Sequence, residues 1–155
     1  MANTSFTDVY DHFMSTVQDY QLNAIYGTGE QNLNTFLLSF LKEAIVDVSG
    51  FCDINNLESY ADYDNQTFTT DIGMHNIIIL AQFMKKPWAR RQRDYVTQMQ
   101  GLLTDTDFKR FSEANNLNAK VNYCASVDEE LGYARNQYTL AHVIDFTKWK
   151  SGVYD

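Results

Sequence analysis

A chain of 155 residues with a 45% apolar fraction, one proline and seven glycines can bury a core without covalent staples and is too poor in turn formers for a low-complexity or many-stranded chain. Its net charge of −8 opposes the approach of DNA phosphates, so sequence-specific nucleic-acid binding is not expected. Cys52 and Cys124 stand far apart with no neighbouring Cys or paired His, which excludes a zinc motif and a disulfide scaffold.

In chain order, Ser5 is placed as an N-cap with Asp8 three residues on, and Phe6, Val9, Tyr10, Phe13, Val17 and Tyr20 recur at helical spacing, predicting one amphipathic first helix. Gly27-Thr28-Gly29 breaks the chain. From about Gln31, the residues Leu33, Phe36, Leu37, Phe40, Leu41, Ala44, Ile45 and Val48 form the clearest stripe in the sequence. Ser49-Gly50 is expected to end that second helix, with Gly50 in the left-handed position beyond the cap. Residues 51–70 interleave Asp53, Glu58, Asp62 and Asp64 with Phe51, Tyr60, Tyr63 and Phe68 without a clean period, and read as a long acidic loop with at most a short strand or turn.

Thr70 or Asp71 can cap a third helix, whose stripe runs Met74, Ile77, Ala81, Met84, Trp88, Tyr95, Met99 and Leu102. Pro87 lies inside it. A proline there removes the hydrogen bond to the Phe83 carbonyl at about 3 kcal/mol, so a kink or break is expected between Met84 and Pro87, turning the basic second half out of line. Phe108, Phe111, Ala114, Leu117, Val121, Cys124, Val127 or Asp128, Leu131, Tyr138 and Ala141 keep a helical period in the last helix, with Asn115-Asn116 as a candidate interruption. After Ala141 the pattern lapses. The expected architecture is all-α: a bundle of about four helices in one domain, residues 1–141, followed by an extended tail, residues 142–155.

The N-terminus lacks the basic and apolar regions of a signal peptide, and no apolar run approaches the ~20 residues a bilayer requires. A cytoplasmic, membrane-free protein is expected. His12, His75 and His142 fall on three separate elements, and Gly27-Thr28-Gly29-Glu30 lacks the further glycine or lysine of a phosphate-binding loop. No catalytic, cofactor or metal residue is therefore assigned, and an enzyme is not expected.

Charge is uneven along the chain. Residues 1–72 hold eleven acids against Lys42 alone, whereas residues 85–110 hold seven bases against three acids. This polarity suits head-to-tail association of identical subunits, and equally the pairing of helix faces within one subunit. The candidate interface residues are Lys85, Lys86, Arg90, Arg91 and Arg93 on the third helix and Phe146, Trp149 and Tyr154 in the tail, since large aromatics and Arg anchor interfaces.

The segment Thr104-Asp105-Thr106-Asp107-Phe108-Lys109-Arg110-Phe111-Ser112-Glu113-Ala114-Asn115-Asn116-Leu117-Asn118-Ala119 resembles a stretch of the small virion proteins of tailed bacteriophages. Phe68-Thr69-Thr70-Asp71 leading into Asn76-Ile77-Ile78-Ile79-Leu80-Ala81, and Phe36 to Ile45, are similar to those proteins' central and second helices. The resemblance spans roughly residues 5–140 and departs from the pattern at Pro87 and after His142. It implies a head-tail connector or adaptor of the neck, with no cofactor, assembled in the host cytoplasm. Such a subunit forms a homo-oligomeric ring between the portal protein and a stopper or tail protein, with DNA passing through. The alternatives are a tail or baseplate structural protein, or a small regulatory protein that binds a partner through its basic helix.

Overall fold

The computed structural model describes residues 3–102 and 107–143. It is a helical fold with five α-helices among the described residues: α1 (Phe6–Thr16), α2 (Tyr20–Thr28), α3 (Glu30–Ser49), α4 (Gly73–Leu102) and α5 (Asp107–Val143). A 3-10 turn (Leu57–Tyr60) and a two-stranded antiparallel ladder, β1 (Ala61–Asp62) with β2 (Thr67–Phe68), lie between α3 and α4. No described helix is long and apolar enough to cross a membrane.

α1 begins as its sequence predicts. Ser5 Oγ accepts from the Thr7 amide at 3.2 Å while the Ser5 amide donates to Asp8 Oδ2 at 3.3 Å, the reciprocal pairing that satisfies two otherwise orphaned donors. It does not run on to Tyr20, however. Val17 is extended (φ −117°, ψ 141°), and Asp19 starts a separate helix by accepting from the Gln21 amide at 2.8 Å. An Asp at a cap competes with helix continuation because its carboxylate can take the place of a backbone partner.

Two glycines punctuate the chain differently from the expectation. Gly50 is right-handed (φ −73°, ψ −14°), so α3 ends without a left-handed residue, and the Phe51 and Cys52 amides both donate to the Val48 carbonyl at 3.0 Å. Positive φ falls instead at Gly29, Asn56, Gln66 and Gly73 (φ +74°), and at the last of these Asp71 Oδ1 accepts the Gly73 amide at 2.9 Å to open α4.

α4 is the hub. α1 runs beside it in the same sense, with Thr4 Oγ1 accepting from the Ile72 amide at 3.1 Å at one end and Phe13 against Trp88 further along. α3 and α5 run antiparallel to it, as Asp47–Lys86 and Glu43–Arg90 show on one flank and Asn76–Tyr138, Lys85–Glu130 and Trp88–Tyr123 on the other. The buried set on α4 is Asn76, Ile77, Ile79, Leu80, Ala81, Phe83, Met84, Trp88 and Ala89. Neighbours on both flanks bury more than one stripe, whereas Met74 and Tyr95, both in the predicted stripe, are exposed.

Of the kink or break expected near Pro87, the break does not occur. α4 is helical without interruption from Gly73 to Leu102, and its basic half stays against α3. Buried Met84 and Trp88 on either side of the proline, together with ion pairs at Lys86 and Arg90, oppose the loss of one backbone hydrogen bond. α5 is likewise unbroken at Asn115-Asn116. It continues to Val143, two residues beyond the predicted domain edge. Residues 144–155, with Phe146, Trp149 and Tyr154, lie outside the described residues.

Candidate functional site

The five cations singled out in the sequence sit on the middle and far part of α4, and each meets a partner within the subunit. Lys86 and Arg90, one turn apart, face Asp47 and Glu43, one turn apart on antiparallel α3, at 2.8 and 3.6 Å. Lys85 points to the other flank and pairs with Glu130 of α5 at 3.0 Å. The Arg91 guanidinium lies 4.4 Å from the centre of the Phe36 ring, a cation–π contact, and Arg93 turns to its neighbour Asp94 at 2.8 Å. The acidic and basic regions of the sequence thus meet, in these pairs, inside one subunit.

A groove of about 430 Å³ opens between α3 and α4 beside these pairs, lined by Phe40, Glu43, Arg90, Arg91, Asp94 and Tyr95 among others. Two carboxylates offset its two guanidinium groups. A surface of both signs offers a polyanion little net attraction, and it suits polar side chains of a protein better. The Lys86–Asp47 pair is part-exposed, so a double-mutant cycle of Lys86→Ala with Asp47→Ala is expected to give a coupling of about 0.2–1 kcal/mol that fades with added salt. A coupling of zero at low salt would mean that Lys86 is available to an outside partner.

A second cluster, which sequence reasoning missed, lies where the loop after α3 crosses the start of α4 and the end of α5. The Tyr138 hydroxyl is 2.6 Å from Asp53 Oδ1 and 2.7 Å from Asn76 Oδ1, and it accepts from the Asp53 amide at 3.0 Å. Asn76 donates from Nδ2 to Asp53 Oδ1 at 3.0 Å and to the Ile72 carbonyl at 2.7 Å. Asn76 and Tyr138 are buried, so these bonds satisfy polar groups that would otherwise be costly to enclose. Burial pushes the Asp53 carboxyl up, but hydrogen bonds from Tyr138 and Asn76 and the neighbouring His142 outweigh it, and the net direction is down. Burial pushes the Tyr138 phenol up.

The His142 ring stacks on Tyr138, centroids 4.2 Å apart at 19°, and His75 stands edge-on to both at 4.9 and 5.0 Å. His142 Nε2 is 3.7 Å from Asp53 Oδ2. A cleft of about 300 Å³ between α4 and α5 opens beside His75 and Tyr138. Among the described residues no group of three His, Cys, Asp or Glu side chains is arranged to hold a metal ion. Cys52 and Cys124 are free thiols, both pushed up chiefly by burial, which holds them in the less reactive protonated form.

A third feature is the outer surface of α5. Of its described side chains only Val127, Leu131 and Tyr138 are buried, whereas Val121, Tyr123, Tyr133 and Leu140 are exposed, Tyr133 at 65% and Leu140 at 55%. None of residues 90–98 of α4 or 115–126 of α5 is buried, although Arg90, Arg91 and Gln92 still reach Glu43, Phe36 and Asp19. Exposed apolar side chains of this kind are ones a partner can cover. Comparison with protein-family models, curated proteins and solved structures gave no match.

Proposed function

We propose that the protein is a helical assembly subunit of the tailed-bacteriophage neck, a head-tail connector or adaptor that forms a ring between the portal and the tail. The observation that carries this is the exposed outer face of α5. A helix of 37 residues, about 55 Å long at 1.5 Å per residue, leaves Tyr133 and Leu140 largely in solvent. A ring built from heterologous contacts needs a surface of this kind on every subunit. Large, rigid aromatic side chains supply contact area at low entropic cost. Acids concentrated in residues 1–72 are compatible with a lining past which DNA slides without being held at each phosphate.

The basic half of α4, which the sequence singled out, serves this role less well than the outer face of α5, which it did not. Lys85, Lys86 and Arg90 already have carboxylate partners, and an incoming acidic surface would have to displace them. The regulatory alternative, docking through that basic helix, loses support for the same reason.

Native mass spectrometry of the purified protein is expected to show a closed oligomer, and proteomics of purified particles is expected to find the chain in virions. Tyr133→Glu with Leu140→Glu should dissociate the oligomer while the melting of the monomer changes little, because exposed substitutions usually move stability by only about 0.5 kcal/mol. Absence of the chain from purified virions overturns the neck assignment.

A further inference from the structure

We propose that the outer face of α5 pairs with the same face of a second copy of this chain, antiparallel and about a two-fold axis beside Gly132, with Asp128 of each subunit against Arg135 of the other.

The placement of charge along α5 points to this. At 3.6 residues per turn, positions seven apart lie only about 20° apart on the helix surface. Asp128 and Arg135 therefore share one edge of the outer face, Glu129 and Asn136 share the other, and Gly132 lies between the edges. All five are exposed. The next acid, Glu130, turns away to Lys85 of α4, whereas Asp128, Glu129 and Arg135 have no ion-pair partner among the described residues. Arg135 lies over the Phe51 ring at 5.4 Å, which leaves its N–H donors without a carboxylate.

An axis at right angles to α5 beside Gly132 reverses the helix and keeps each edge on its own side. Asp128, four residues before Gly132, then meets Arg135 of the second copy, three residues after it, and Glu129 meets the Asn136 carboxamide in the same way. Each contact occurs twice, because an isologous pair repeats every contact. A parallel pair would set Asp128 against Asp128 and Arg135 against Arg135, which repel. Charge complementarity thus selects both the occupant of this face, a second copy, and its direction.

Gly132 sets how near the two helices can come. A Cβ there would meet nothing within 4 Å in its own subunit, so no internal contact requires glycine, which weakens a helix interior relative to alanine. Its bare backbone lets a second helix approach closely at the crossing point, over a hollow of about 530 Å³ lined by Gly132, Asn136, Thr139 and Leu140 among others. Leu140, 55% exposed, lies eight residues after Gly132 and Ala125 seven before it, so the axis brings Leu140 over Ala125 of the second copy. A single helix pair offers fewer than the ~20 residues a side of a standard interface, and the pair is therefore reversible and concentration-dependent. A two-fold pair closes on itself and adds no third subunit, so it is a different association from a ring contact and does not depend on the neck reading. Where a ring uses this face, the pair is the unassembled state.

Sedimentation of the full chain over a concentration series at low salt tests it. A monomer–dimer equilibrium that weakens with added salt is expected. Asp128→Arg and Arg135→Asp should each weaken the dimer roughly tenfold or more, because each sets two like-charge contacts across the axis. An equimolar mixture of these two variants should restore it, since each supplies the sign that the other lacks, and so should one chain carrying both reversals. Gly132→Leu should abolish the dimer while the monomer melts no lower, leucine being the better helix former. A chain that stays monomeric, charge reversals that the mixture does not rescue, or a dimer that survives Gly132→Leu overturns the pair. Larger oligomers that none of these substitutions changes overturn the pair and leave the neck reading intact, whereas rescue in the mixture together with absence of the chain from virions overturns the neck reading alone.

Discussion

Trp88→Ala is expected to lower the free energy of unfolding by about 3–5 kcal/mol, the range for deleting a packed large aromatic side chain, measured by urea titration. Trp88 is buried where three helices and a linker converge. Its ring meets Phe13 of α1 edge-on at 6.4 Å and Tyr123 of α5 at 6.0 Å. Its indole N–H donates to Asp19 Oδ2 at 2.8 Å, the carboxylate that also accepts Gln92 Nε2 at 2.8 Å and, through Oδ1, caps α2. The alanine variant loses the ring contacts and one donor at once. Trp88→Phe retains an edge-on partner for Phe13 and loses the donor, and should cost roughly 1–3 kcal/mol. Since domains of this size are stable by only about 5–15 kcal/mol, the alanine variant is expected to be marginal at 37 °C. A loss below about 1 kcal/mol, the level of an ordinary surface change, would mean that α1, α4 and the linker do not depend on this residue.

Helices were readable in this sequence where one face of a helix is buried. The stripe of α3, Leu33 to Val48, is buried nearly as its spacing predicts, and the Ser5–Asp8 signature opens α1. The misplaced boundaries have local causes. Tyr20 continues the apolar spacing of α1, but Asp19 caps a new helix there, so a carboxylate in the right place outweighed periodicity. Pro87 carries a real penalty for an isolated helix, and packing on both flanks of α4 outweighed it. Neither balance can be struck from a single segment, because the partners lie on α3 and α5.

Charge followed the same rule. The basic run Lys85 to Arg93 looked like a surface for others, yet Glu43 and Asp47 stand at the same four-residue spacing as Lys86 and Arg90. That matched spacing on antiparallel helices is a signal the sequence did contain, and it favours pairing within the subunit. Asp53, His75, Tyr138 and His142 offered no comparable signal. They are separated by 22, 63 and 4 positions and meet only because α5 folds back along α4 and the loop crosses both. No spacing motif encodes a contact created by antiparallel docking.

Residues 51–70 are the clearest test of how far tertiary contacts ordered what periodicity could not, and Phe68→Ala is the substitution that exposes it. Phe68 is fully buried and packs edge-on against Phe6 at 4.9 Å. Its amide donates to the Thr4 carbonyl at 2.7 Å, and the Phe6 amide donates to the Gln66 carbonyl at 2.9 Å. The residues before α1 thereby add a third edge to the short β1–β2 ladder, with Leu57 and Ile72 buried in the same core. An acidic stretch with no clean period is in this way fastened to the start of the first helix. Phe68→Ala should cost about 3–5 kcal/mol by leaving a cavity beside Phe6, and should make the 51–70 segment cleavable by protease at concentrations that leave the parent intact. Asp64→Ala, at an exposed position of the same turn, should stay within about 0.5 kcal/mol. If the two variants melt alike, the segment is a loosely attached excursion and the core ends at α1, α3 and α4. A large difference between them means that two neighbouring positions of one acidic loop belong to different environments, one of them the centre of the fold.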